Sequence, residues 1–295
     1  MCGGHTGGRA PRVYAAAAMT DSRPIGVFDS GVGGLTVLRE LRRQAPAERL
    51  LYVADLAHFP YGPRAQPEVR ELALGIIESL ARLDTKLVVI ACNTATAAAL
   101  NVARETFDIP IVGVIAPGAQ AAAASTHGGR VAVISTAGTL QSQEYVHAIK
   151  EANPGVTVLG IAAPELVDIV EAGRANSEMA DDALRRVLAP VFEWRADTLV
   201  LGCTHYPLLH DSIQRVTEGR LRVIDSAATT AARVCRILDV NRLRAPRAQD
   251  GSVEVLVTAS PDDFSRTAAR IFGEPVPARP LPVARAPQLR VVSSQ

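Results

Sequence analysis

Cys92, in ACNTATA (91–97), and Cys203, in LGCTHYPLL (201–209), each close an apolar run and open a polar one. They are two of only four cysteines and lie 111 residues apart (203 − 92 = 111). Asn93-Thr94 after the first offers N-caps, and Pro207 after the second suits the first turn of a helix. Each thiol is therefore expected between a strand and a helix N-terminus. The positive end of a helix dipole stabilises a thiolate, which predicts thiol pKa values drawn down toward neutrality. A group that titrates near the working pH is an efficient general acid or base. Two such thiols on opposite walls of a small cavity could invert a tetrahedral carbon, one removing a proton and the other delivering one to the opposite face. That chemistry needs neither a metal nor an organic cofactor.

The neighbouring residues suit an amino acid as the ligand. Main-chain N–H groups and side chains at Asn93, Thr94 and Thr204 could bind an α-carboxylate at helix N-termini. Asp29 could hold the α-ammonium or orient a thiol, and His205 could tune or protonate Cys203. Three rival readings follow from the same residues. A redox dithiol requires Cys92 and Cys203 to approach within disulfide range. A non-catalytic two-domain binding protein would close on an amino acid without chemistry and has no need of paired thiols. The turn SGVGGLT (30–36), between a strand and a helix and followed by Asp55, suggests a dinucleotide site, but Thr36 stands where the third glycine of G-x-G-x-x-G belongs.

The elements that must position these residues alternate almost throughout. Apolar runs at 25–29, 50–55, 86–91, 109–115, 130–135, 156–162, 197–202 and 220–225 read as strands buried on both faces. Helical patterns fall between them at 34–44, 67–82, 95–106, 139–151, 178–193, 207–217 and 227–239, and a strand and helix follow within 253–273. This is an α/β protein with mainly parallel sheets and helices on both faces. The pattern also repeats. Residues 23–41 are mirrored by 129–149, aligning Asp29-Ser30 with Ser135-Thr136, an offset of 106 (136 − 30 = 106) close to the cysteine offset. Two related doubly wound domains are expected, with the site in the cleft between them, because ligands of such folds sit at the carboxyl ends of the strands.

Composition narrows the function classes. The chain has 295 residues, 48% of them hydrophobic, with a net charge of +1, so nothing in its bulk charge suggests nucleic acid or an anionic membrane. No apolar run approaches the roughly 18–20 residues of a bilayer span. Four cysteines without a repeated close-spaced pair fit neither a disulfide scaffold nor a zinc ribbon, and a reducing cytoplasm is the natural setting. Cys2 and His5 form an isolated C-x-x-H, a poor metal signal. Residues 1–23 read as a disordered extension, of which 1–18 precede a second methionine, Met19, and 285–295 as a Pro/Arg-rich tail. Cys235 reads as a packed core thiol. Lys86 and Lys150 are the only lysines, one at a strand entry and one near a helix end, and neither suggests Schiff-base chemistry.

The segments GVFDSGVGGLTVL (26–38), FPYGPR (59–64), ACNTATA and LGCTHYPLL together resemble the glutamate racemases, over roughly residues 24–273. The resemblance implies cofactor-independent interconversion of L- and D-glutamate, supplying D-glutamate for bacterial peptidoglycan. It implies Cys92 and Cys203 as the acid–base pair, with Cys92 acting on D-glutamate and Cys203 on L-glutamate. Substrate-binding positions carry over as Asp29 and Ser30, Tyr61 and Gly62, Asn93 and Thr94, Thr204 and His205, with Thr136 added although a glycine is more usual where Ser135 stands. Glu171 resembles an acidic residue placed near the histidine. The implied division assigns 24–116 plus 226–284 to one domain and 117–225 to the other, in a chain that forms a homodimer. Aspartate racemase is the nearest alternative, but its second motif reads Cys-Thr-Glu, whereas His205 follows Cys203-Thr204 here.

Overall fold

A computed structural model describes residues 20–246, 248 and 250–281. Most of the extension assigned to 1–23, with Cys2 and His5, and the whole tail at 285–295 lie outside the described residues. The first half runs β1 (Ile25–Asp29), α1 (Leu35–Gln44), β2 (Leu50–Ala54), α2 (Gln66–Arg82), β3 (Leu87–Ile90), α3 (Asn93–Thr106) and β4 (Ile111–Gly113). The second continues through α4 (Ile115–Ser125), β5 (Arg130–Ser135), α5 (Ala137–Ser142), α6 (Glu144–Ala152), β6 (Thr157–Ala162), α7 (Glu165–Glu171), α8 (Glu178–Glu193), β7 (Thr198–Gly202), α9 (His210–Thr217) and β8 (Arg222–Asp225). The chain then returns to the first half with α10 (Ser226–Val240), β9 (Val253–Val257), α11 (Pro261–Phe272) and β10 (Arg279–Pro280).

Two wholly parallel sheets result, ordered β10-β9-β2-β1-β3-β4 and β6-β5-β7-β8. The order β2-β1-β3-β4 matches β6-β5-β7-β8 strand for strand, so the two domains share one topology. In each, the chain leaves the central strand to one side and returns on the other, creating a switch point between β1 and β3 and between β5 and β7. Apolar residues of β1, β2, β3 and β7 are buried on both faces, as their unbroken apolar runs require. α1 and α10 pack over one face of the larger sheet, where Leu41 and Val234 are fully buried in a shared core. α2 and α3 cover the other face through Ile77, Leu80 and Ala99.

Several boundaries differ from the sequence expectation. The strand anticipated at 109–115 ends at Gly113, and Ile115 already opens α4, an alanine-rich helix carrying Pro117 in its first turn. The helix expected at 139–151 is two helices, broken at Gln143, whose φ of 58° is left-handed. α7 was not anticipated, being only seven residues long with no Ser, Thr, Asp or Asn cap. Cys235 is half-buried rather than packed in the core, its Sγ 3.7 Å from the Gln44 carbonyl oxygen.

Lys86 is structural. Its Nζ is buried 2.5 Å from Glu48 Oε2 and donates to the Asp21 carbonyl at 2.6 Å. Glu48 Oε1 in turn accepts the Ala245 N–H at 2.9 Å, so one buried pair ties together the entry to β1, the α1–β2 loop and the segment before β9. Removing one partner leaves a charge buried without compensation. We predict that Lys86→Met lowers unfolding free energy by about 3–5 kcal/mol, measured by urea denaturation. A loss below about 1 kcal/mol would show that the pair does not hold these segments together.

Candidate active site

The two switch points face each other across a cavity of about 330 Å³. The first domain lines it with Ser30 after β1, Phe59–Pro63 after β2, and Cys92, Asn93 and Thr94 after β3. The second contributes Thr136 and Ala137 after β5, Pro164, Val167 and Asp168 of the β6–α7 segment, and Cys203, Thr204 and His205 after β7. Both thiols, named from sequence, therefore reach the same cavity, and both are free. Of the other predicted site residues, Ser30, Tyr61, Gly62, Asn93, Thr94, Thr136, Thr204 and His205 also line it. Asp29 and Glu171 do not: the two carboxylates stand behind the wall and act on the residues that form it.

The thiols sit differently. Cys92 is itself the N-cap of α3, its Sγ 3.5 Å from the Ala95 N–H, so the helix begins two residues earlier than expected. After Cys203 the chain makes a one-turn 3₁₀ segment, Tyr206–Leu209, before α9. The expectation of a lowered thiol pKa fails at Cys92, which is pushed up to about 12. Burial is the main cause and the nearby Asp29 carboxylate adds to it. The hydrogen bonds from the Ala95 N–H and from Ser30, whose Oγ lies 3.9 Å away, recover only part. Desolvation here outweighs the helix N-terminus.

Cys203 has a different neighbour. His205 Nδ1 lies 3.8 Å from its Sγ, and Nε2 lies 2.8 Å from Glu171 Oε1. Burial alone would push the imidazole pKa down. Its bonds to Cys203 and Glu171 outweigh that and raise it to about 10. His205 is thus an imidazolium at neutral pH, able to give a proton to, or hold charge beside, one thiol only.

Direct contacts lock the walls together. Asp29 accepts the Gly31 N–H at 2.8 Å through Oδ1 and the Thr204 hydroxyl at 3.1 Å through Oδ2. Its carboxyl is raised by burial and partly drawn back by His205, Gly31 and Thr204. The Thr94 and Thr136 hydroxyls meet at 2.9 Å, and the Gly138 N–H donates to the Gly62 carbonyl at 3.0 Å. The glycine-rich loop serves close approach. A Cβ on Gly33 would lie 2.6 Å from His205 Nδ1, and one on Gly31 would lie 2.8 Å from the Phe59 ring. Tyr61 does not offer its hydroxyl to the cavity; it donates to the buried Asp55 at 2.6 Å, which also meets His58 Nδ1 at 3.0 Å and accepts from Thr258 Oγ1 at 2.7 Å.

Sequence reasoning missed Asp55 as the partner of Tyr61. It also missed the cavity face of the α7 region, where Pro164, Val167 and Asp168 recur at three- and four-residue spacing. That periodicity was legible, but the helix carrying it was not recognised. Among the described residues no arginine or lysine lines the cavity, which presents N–H groups, hydroxyls and His205. Among the described residues, no cluster of three or more His, Cys, Asp or Glu is arranged to hold a metal ion, and no helix is long and apolar enough to cross a membrane.

A small-molecule site between two parallel α/β domains, with a thiol on each wall, defines the class. The chain belongs to the Asp/Glu/Hydantoin racemase family, whose profile matches residues 25–234. It is 43% identical over 259 residues to a glutamate racemase of Streptococcus thermophilus, covering 87% of this chain and 94% of that one. The structure superposes on a glutamate racemase isoform from Bacillus anthracis with a TM-score of 0.84, at 37% identity, covering 88% and 98% of the two chains. A glutamate racemase from Francisella tularensis in complex with D-glutamate gives a TM-score of 0.81 at 28% identity, covering 88% and 97%.

Because Cys92 is held un-ionised, its reaction with iodoacetamide should track its small thiolate fraction. We predict an alkylation rate at the Cys92 peptide that rises about tenfold per pH unit through pH 10, read by mass spectrometry. A plateau below about pH 9 would mean an ordinary or lowered thiol pKa.

Proposed function

We propose that this chain is a glutamate racemase that works by two-base proton transfer between Cys92 and Cys203. The observation that carries the reading is the delivery of two thiols to one cavity by equivalent strand ends of two domains. For L-glutamate, the Cys203 sulfur as thiolate takes the Cα proton, and the Cys92 thiol gives its proton to the opposite face. The C–H bond on one side breaks as one forms on the other, and each sulfur ends in the protonation state its partner had. The reverse direction exchanges their roles, so Cys92 acts on D-glutamate.

Glu171 holds His205, and Asp29 holds Thr204, so both carboxylates assist without lining the cavity. Carboxylate binding falls to Ser30, Asn93, Thr94, Thr136 and Thr204, with the main chain at Tyr61-Gly62. The N-termini of α3 and α5 point into the cavity and favour anions without a basic residue. The reading extends to residues 24–116 with 226–284 as one domain and 117–225 as the other. The packing of α10 on α1 and of α4 on α6 supports that division. A cytoplasmic homodimer supplying D-glutamate for peptidoglycan completes it, resting on the resemblance of the motifs.

The test uses purified, reduced protein, L-glutamate and D₂O with no added cofactor. Loss of the α-proton signal by NMR should accompany decay of the circular dichroism to zero, with L-aspartate in parallel remaining unchanged. Protein that is folded yet silent with both amino acids is a binding protein and not a racemase. Activity confined to aspartate would reassign the substrate.

Replacing either thiol by serine should cost roughly a thousandfold in racemisation, within the range of a lost general acid–base. Cys92→Ser should lose exchange of D-glutamate more than of L-glutamate, and Cys203→Ser the reverse. The opposite pattern would overturn the assignment of the two faces.

A further inference from the structure

The acid–base scheme gives no task to the buried phenol that stands behind Asn93. Tyr145, on α6 of the second domain, is 3% exposed and does not line the cavity. Its hydroxyl donates to Asn93 Oδ1 at 2.8 Å, reaching from the second domain to the start of α3 in the first. Asn93 is also 3% exposed and does line the cavity, and its Nδ2 has no hydrogen-bond partner among the described residues. A buried amide nitrogen without an acceptor is costly, so its N–H groups call for an acceptor that arrives with the ligand.

An asparagine amide can sit either way round, and the two orientations present opposite chemistry. With Oδ1 held by a phenol donor, the cavity receives N–H groups, which suit a carboxylate. Reversed, it would receive a carbonyl oxygen, which repels one. The Tyr145 oxygen has its own neighbour in Ser226, a hydrogen-bond partner at the start of α10. Gly118 leaves room for this group: a Cβ there would lie 3.2 Å from Ser226 Cβ and 3.7 Å from the Tyr145 hydroxyl.

We propose that Tyr145 is a positioning residue that fixes the Asn93 amide with its N–H groups toward the ligand carboxylate, using a hydrogen bond made only when the two domains are closed on each other. The inference rests on the reading of the cavity as a glutamate site. It adds a residue that neither touches substrate nor titrates in the reaction. It also makes carboxylate recognition conditional on domain closure.

Calorimetric binding of D-glutamate to the full-length protein tests this. Tyr145→Phe keeps the ring and removes the donor, and should weaken binding about tenfold while leaving the melting temperature within about 3 °C. In an Asn93→Ala background the same change should add nothing, because Tyr145 acts through that amide. Unchanged binding by Y145F, or additive losses in the double variant, would overturn the proposal. Should Y145F fail to fold, the wild type still decides. With ¹⁵N-labelled asparagine, the side-chain signal that N93A removes should shift on saturation with D-glutamate, and a signal that stays put refutes the assignment. A wild type that binds neither enantiomer sinks the glutamate reading together with this one; a wild type that binds while Y145F binds equally well sinks this one alone.

Discussion

The structure depends on the close apposition of two switch points. Two thiols on opposite walls of one cavity must be held at a fixed separation, and here each sheet supplies one wall. The chain meets the constraint by bringing two copies of one topology together until backbone and short side chains touch. Gly33 abuts Thr204 and His205, the Thr94 and Thr136 hydroxyls meet, and Gly138 bonds to the Gly62 carbonyl. Each contact crosses between domains within the residues that line the cavity or flank it. The geometry of the thiols is therefore held by the interface itself.

The same closeness buries the side chains around the cavity, and burial sets their electrostatics. Desolvation is the largest influence on Asp29, Cys92, Tyr61 and His205. For the carboxyl, the thiol and the phenol it favours the neutral form. His205 escapes because both ring nitrogens have partners that gain from its charge. A nearly symmetric backbone thus carries an asymmetric pair, one thiol beside an imidazolium and the other beside a hydroxyl. The asymmetry gives the two faces of a substrate different partners.

Three carboxylates stand one step back from the cavity, while Asp168 lines it directly. Asp29 reaches it through Thr204, Glu171 through His205, and Asp55 through Tyr61. These three orient the wall from behind. Arg270, on α11, donates to the Glu171 carbonyl at 2.9 Å, which links the last helix of the first domain to the histidine's support in the second.

Much of this was legible in the sequence. Unbroken apolar runs suit strands covered on both sides, which made the parallel α/β class legible, although β6 and β8 are only partly buried. The repeat of strand, polar pair, turn and helix located both switch points, and Cys92 and Cys203 stood at equivalent places in it. What sequence could not decide were the quantities that arise when distant segments meet. Gly33 reads as a turn glycine until Thr204 and His205 arrive beside it. Cys92 reads as a thiol eased by a helix N-terminus until burial and Asp29 are added. Tyr145 reads as one more core aromatic until its hydroxyl is found on Asn93. Strand and helix are set by neighbours in the chain and leave a periodic trace there. Close approach, desolvation and cross-domain hydrogen bonds depend on residues 42 to 175 positions apart, as in the Thr94–Thr136 and Thr204–Asp29 bonds, and only the folded chain brings them into contact.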